Sequence, residues 1–176
     1  TVDNKLFGGG TVNKNGIGKA TLTNNESRLS EINVNEGELS LEQNGTLVAN
    51  DYTTAANAIT SIGSSSKLET NNFVQDANST LNVSIGTNNS PAVQADNAKI
   101  TDSNLNITGF GSTDAPGKAS MLGENDFVVI STTGGIEGDF ASVNTGGATS
   151  AVDYLVVEGK KSDDNLTYSV GLDLAW

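Results

Sequence analysis

The chain has 176 residues, with 21 acidic against 9 basic side chains, no Cys and no His, and a formal net charge of -12. That balance argues against nucleic acid and anionic membrane surfaces, which require clustered Lys and Arg; the missing thiols and imidazoles exclude disulfides and a zinc ligand set. No apolar run approaches the ~18 residues that span a bilayer and no charged-then-apolar leader opens the chain, so the expectation is a soluble piece, any export signal having been removed or lying outside it.

Asn, Thr, Ser and Gly dominate the polar residues, which suits turns and exposed strand faces better than helices. The first motif, "GIGKA" (16–20), invites a phosphate-loop reading. A Walker loop needs Gly five residues before its Gly-Lys pair and Ser or Thr after it, and those places hold Asn13 and Ala20. A repeat turn is the better reading. Short strands are then predicted in turn: "KATLTN" (19–24), "EINVNEGELSLEQ" (31–43), "GTLVAN" (45–50), "SKLETNNFVQ" (66–75), "STLNVSIG" (79–86) and "AKITDSNLNITGF" (98–110). Only Asp51 to Ile59, "DYTTAANAI", leaves room for a single turn of helix.

A small or polar residue followed by Leu recurs at Leu22, Leu47, Leu68, Leu81 and Leu105, mostly 21 to 25 residues apart with one closer pair. That is the length of a solenoid coil of three short strands. Isolated aliphatics such as Ile32, Val34, Ile59, Ile62, Val74, Val93 and Ile100 supply the other faces. The Asn44-Gly45 step, flanked by alternating hydrophobics, resembles a hairpin turn. A hairpin stack would carry two-residue turns every 8 to 12 residues and aromatic cross-strand pairs, whereas this chain has 5% aromatics and one or two aliphatics per strand. The prediction is therefore a parallel β-helix, with Asn44-Gly45 a corner and Leu22, Leu39, Leu41, Leu47, Leu68, Leu81 and Leu105 forming stacked core ladders.

From about Asp126 the strands lengthen, as in "DFVVISTTGGIEGDFASVN" (126–144) and "VDYLVVEGKKSDDNLTYSVGLDLAW" (152–176). Val152 to Glu158 and Leu166 to Trp176 are predicted to form a hairpin around the polar loop 160–165. Phe127, Phe140, Tyr154, Tyr168 and Trp176 would close this cap, which a solenoid needs to cover its last coil and open strand edge. The expected organisation is β-helix coils over 1–125 and a continuous capping segment over 126–176.

Residues 11–42 resemble the autotransporter-associated β-strand repeat, Gly-x-Gly-x-Leu-x-Leu followed by Ile-x-Val-x-x-Gly-x-Leu-x-Leu. Gly16, Gly18, Leu22, Ile32, Val34, Gly37, Leu39 and Leu41 stand in those places, and Ala20 where the family has a larger aliphatic. "STLNVSIG", "SNLNITGF", "FVVISTTGGIEGDFASVN" and the final "DYLVVEGKKSDDNLTYSVGLDLAW" look like the C-terminal part of pertactin-like passenger domains. The resemblance implies a right-handed parallel β-helix carried through the periplasm and across the bacterial outer membrane by a C-terminal β-barrel. It also implies that the C-terminal section is an autochaperone, folding first and templating the other coils. The partners would be that barrel and, in an adhesin, another copy of the chain or a host surface ligand.

Enzymatic readings fare poorly. Asp163-Asp164 and Glu124-Asn125-Asp126 could serve as general acid and base or as calcium ligands. A β-helical polysaccharide-cleaving enzyme would need His, or Arg and Lys, around a sugar acid; the chain has no His, and its one arginine, Arg28, has no evident acidic cluster. With no His, no Ser is activated for proteolysis either. Thr132-Thr133 before Gly134-Gly135 could form a binding nest, but a tight turn entering the cap is preferred. Sequons at Asn25, Asn44, Asn78, Asn82, Asn106 and Asn165 arise readily by chance in such a composition. No cofactor, metal or catalytic residue is assigned; the expected function is a β-helical stalk and folding nucleus of a secreted surface adhesin, or alternatively an adhesive module.

Overall fold

A computed structural model describes residues 10–22, 27–42, 45–84, 91–109, 127–144 and 155–174. It is all-β, a parallel β-solenoid. Each coil places one short strand in a six-stranded sheet and one long strand in an eight-stranded sheet. The short strands are β2 (Lys19–Leu22), β4 (Glu38–Leu41), β6 (Ile59–Ile62), β8 (Thr80–Ser84), β10 (Asn104–Gly109) and β12 (Ser142–Asn144). The other sheet holds β1 (Thr11–Lys14), β3 (Ser27–Val34), β5 (Gly45–Thr54), β7 (Ser66–Gln75), β9 (Val93–Lys99) and β11 (Phe127–Glu137), followed by β14 (Thr167–Leu174) and β13 (Leu155–Lys161). Pairing is parallel from β1 through β11 and from β2 through β12. It turns antiparallel only at β11–β14 and β14–β13.

The coil length appears directly in bonded side chains on neighbouring coils: Asn13 and Asn33 are 20 residues apart, Asp51 and Asn72 are 21, Asn82 and Asn106 are 24, and Asp96 and Thr133 are 37. β4 and β5 lie in different sheets, so the chain turns a corner between them and makes no hairpin. Asn44 itself lies outside the described residues. Asp51 to Ile59 contains no helix: β5 runs to Thr54 and a turn follows at Ala56 and Asn57. Tyr52 and Thr54 alternate inward there, a period of two that a helical turn would break.

All seven Leu positions are buried, but in three separate ladders. Leu22 stacks on Leu41, continuing to Ile62 and Val83. Leu39 aligns with Thr60, Leu81 and Leu105. Leu47 and Leu68 precede Val93 and Ile130. The close Leu68–Leu81 pair therefore belongs to two walls of one coil.

Each long strand covers two walls because it bends. In β5 the inward residues Leu47 and Ala49 are followed by two consecutive exposed residues, Asn50 and Asp51, before Tyr52 and Thr54 turn inward again. β7 repeats this at Asn71-Asn72 and β9 at Asp96-Asn97. The slip lets both halves bury alternate side chains. Inside the bend, the Thr70 hydroxyl lies 3.0 Å from Asn50 O and 3.1 Å from Asn72 O, giving a buried polar side chain a backbone acceptor. Beyond it, Ile32, Tyr52, Phe73, Ala98 and Ile136 form a fourth ladder, with the Tyr52 and Phe73 ring centroids 5.9 Å apart.

The corner from the eight-stranded to the six-stranded sheet is three or four residues long throughout: residues 15–18, 35–37, 55–58, 76–79, 100–103 and 138–141. Asn57, Asn78 and Asp102 occupy it at φ 67, 68 and 59, the left-handed region that Asn and Asp tolerate better than other non-glycine residues. The connection back to the eight-stranded sheet varies in length, three residues between β6 and β7, eight between β8 and β9 and seventeen between β10 and β11.

At the C-terminal end, Phe140 meets Tyr168 edge to face at 4.9 Å, both rings buried, while Phe127 is half-buried. Tyr154 and Trp176 lie outside the described residues. Lys161 Nζ donates to Gly138 O at 2.8 Å and lies 3.9 Å from an Asp139 carboxylate oxygen, tying the hairpin to the last fixed corner.

Burial pushes both phenols up from their ordinary 10.0, Tyr52 strongly and Tyr168 to about 12, the Asp139 carboxylate adding to the latter. Below pH 10 both are protonated in the folded and unfolded chain, and no stability depends on them. Above pH 10 the unfolded chain ionises first, so stability falls as pH rises toward 12. Thermal melts should be flat through neutral pH and drop above 10, and Tyr168→Phe should lessen that drop. A drop unchanged by Tyr168→Phe would count against the buried phenol as its source.

Candidate functional site

The polar chemistry of the described surface lies in strips running along the solenoid axis, built by the parallel register. In-register pairing places like positions of successive coils one above another, roughly 4.8 Å apart. On the outer face of the six-stranded sheet, Thr21, Ser40, Ser61, Asn82, Asn106 and Asn144 align. Asn106 donates to Asn82 at 3.0 Å, Asn82 to Ser61 at 3.1 Å, and Ser61 to Glu38 at 2.7 Å. Lys19 completes the strip, 3.9 Å from Glu38 and 4.0 Å from Glu42. A shallow groove of about 500 Å³ lies over Lys19, Glu38, Ser61, Ser65, Asn82 and Ser84.

A second strip follows the outward bend. Asn72 donates to the Asp51 carboxylate at 2.8 Å and Thr133 to Asp96 at 3.4 Å. Another groove of about 500 Å³ separates Asn72, Asn97 and Glu137 from Asp164 and Asn165 in the hairpin loop. Asparagine stacking between coils also occurs at Asn13–Asn33 and Asn15–Asn35, each at 3.1 Å.

Of the carboxylates singled out in the sequence, Asp164 is engaged within the hairpin loop. Asp164 accepts from the Ser162 hydroxyl at 2.6 Å and from Leu166 N at 3.0 Å, and these bonds hold its carboxyl below the usual range. Because the folded-state value is depressed, the loop gains from these bonds at neutral pH and loses them as pH falls through that value. Asp163 is exposed. Glu124 to Asp126 lie outside the described residues. Among the described residues, no three acidic, imidazole or thiol groups come together as a metal site. Arg28 is exposed on β3.

The Thr132 to Gly135 segment is neither a nest nor a turn entering the cap. It is a bulge within β11, where the register to β9 shifts between Thr132 and Gly135. The hairpin loop covers it: Thr132 N donates to Leu166 O and Ile136 N to Asn165 O, both at 2.7 Å, and Thr132 Oγ donates to Leu166 O at 2.8 Å. A β-carbon on Gly134 would run into Asn97 and the Asp96 carbonyl, which explains the glycine. In "GIGKA", Lys19 faces carboxylates and Gly16 turns at φ 81, as a repeat turn requires.

Composition gave no means of locating either strip, because an Asn or Ser scattered through a strand acquires significance only once the register stacks it. Neither a protein-family model nor a curated protein matches the chain. The functional reading rests on the fold and this surface chemistry.

Proposed function

We propose that the chain is a structural segment of a bacterial surface protein, a β-helical stalk ending in a folding cap, with no catalytic role. The supporting observation is the double pairing of β11, parallel to β9 on one edge and antiparallel to β14 on the other. The hairpin thus occupies the edge where a further coil would add, ending one wall of the solenoid with paired strands. On this reading the segment passes through the periplasm, is delivered by its own C-terminal outer-membrane barrel, and holds an adhesive region away from the cell. The resemblance of residues 11–42, 79–86, 103–110 and 126–176 to passenger domains agrees with that role.

The test is export. The chain is placed between a secretion signal and an outer-membrane β-barrel, and protease resistance at the cell surface is measured with and without residues 155–174. Loss of the hairpin is expected to leave the coils protease-sensitive and to lower display. Full resistance without the hairpin would overturn the capping role. The side-chain strips favour a second reading, in which outward amides and carboxylates bind another copy of the chain or a host surface ligand. Clumping of beads coated with the isolated chain at neutral pH would favour that module; dispersed beads would favour the stalk.

A further inference from the structure

We propose that Asn15 is a site of spontaneous deamidation and backbone isomerisation, which the fold favours over the second Asn-Gly step at Asn44-Gly45. In this reaction the backbone nitrogen of the following residue attacks the side-chain amide carbon, and glycine reacts fastest because no β-carbon obstructs the approach. Both steps carry that glycine and differ in the residue before the asparagine, Lys14 against Gln43, whose effect depends on where the fold puts the lysine.

The structure separates the two steps. Gly45 N is committed to a hydrogen bond with Ser65 O on the next coil at 3.2 Å, so freeing it for attack means breaking a contact between coils. At the other step, Asn15 and Gly16 are exposed in a turn. Lys14 Nζ lies 2.9 Å from Asn15 O and 2.7 Å from Gly16 O. A cation on Asn15 O stabilises the negative charge that develops in that peptide group as the Gly16 N–H loses its proton. Asn35 Nδ2 donates to Asn15 Oδ1 at 3.1 Å, placing a donor where the oxyanion forms.

The step balances without any partner except water. The Gly16 N to Asn15 Cγ bond forms, the Cγ–Nδ2 bond breaks, and the amide leaves as ammonia, carrying the proton lost from Gly16 N. Water then opens the succinimide at either carbonyl, yielding aspartate or isoaspartate. Either product adds a negative charge to the turn, and isoaspartate also inserts a methylene into the backbone on which Gly37 packs. The site would thus mark the age of an exposed molecule and loosen its first described coil.

The purified chain is aged in mildly alkaline buffer and digested, and deamidation at each peptide is followed by mass spectrometry in heavy-oxygen water. Asn15 is expected to react several-fold faster than Asn44 in the folded protein, with the ratio collapsing toward one in denaturant. Lys14→Met should slow Asn15 several-fold and leave Asn44 unchanged, while Lys14→Arg, keeping the charge and donors, should preserve the rate and serves as the folded control. Equal rates at the two steps in the folded chain, or an Asn15 rate indifferent to Lys14→Met, would overturn the proposal.

Discussion

Phe73→Ala is expected to destabilise the middle coils by roughly 3–5 kcal/mol, the cost of deleting a fully buried aromatic ring. The ring sits in the ladder between Tyr52 and Ala98, and Ala98 is too small to fill the vacated space. Tyr52 cannot move freely into it, because its hydroxyl is held 2.8 Å from Thr60 Oγ1, which in turn lies 2.8 Å from Thr54 Oγ1. In a stacked architecture each coil touches chiefly its neighbours, so the damage should be local. Hydrogen exchange should accelerate in β5, β7 and β9 before it does in the β13–β14 hairpin. A loss below about 1 kcal/mol would mean that the site collapses around the missing ring, contrary to the packing described.

Gly37→Val is expected to be similarly severe for a backbone reason. Gly37 adopts φ 67, and a β-carbon there would enter the space held by the Gly16 and Gly18 carbonyls. Left-handed strain costs roughly 1–2 kcal/mol and overpacking roughly 1–3 kcal/mol, so a total of about 2–5 kcal/mol is expected. Because the contact joins the first two described coils, denaturant unfolding should show an early loss confined to β1 through β4. Gly18→Ala, at a position with open space, should be nearly silent and serves as the control. A Gly37→Val protein that melts like the parent would show that the two turns separate without cost.

The coil plan was legible because Leu residues at solenoid spacing with almost no aromatics fit few other β architectures. The change of sheet between β4 and β5, in place of a hairpin, and the terminal hairpin follow from the same texture. Tyr52 and Phe73, the largest fully buried side chains among the described residues, are not legible as core in the sequence. Each follows two consecutive outward residues, so the period-two pattern breaks just before it. The buried positions of Thr54, Thr60 and Gln75 are not legible in the sequence because their partners are set by the corner: Thr54 bonds Thr60, and the Gln75 amide nitrogen donates to Ser79 while its buried Oε1 has no partner among the described residues. The bulge at Gly134-Gly135 was hidden because its need arises from Asn97 and Asp96, far away in sequence. The reasoning that asparagine suits left-handed corners applies at Asn57, Asn78 and Asp102, which alternation alone does not single out.

The unequal corners also bear on how much sequence the architecture can absorb. Closing a loop costs about 0.6 kcal/mol for each doubling of its length. Growth of the coil from 20 to 37 residues at the variable corner therefore adds less than the worth of a single well-made hydrogen bond. The opposite corner is short but takes up a single residue where glycine makes the turn: Val34 to Glu38 is one residue shorter than Thr54 to Ile59, with which they pair, and Gly37 at φ 67 closes the difference with the inward positions kept. Evolutionary elaboration, or a deliberately grafted peptide, thus finds its room in the connection from the six-stranded to the eight-stranded sheet, where the interval between strands grows from three residues to seventeen.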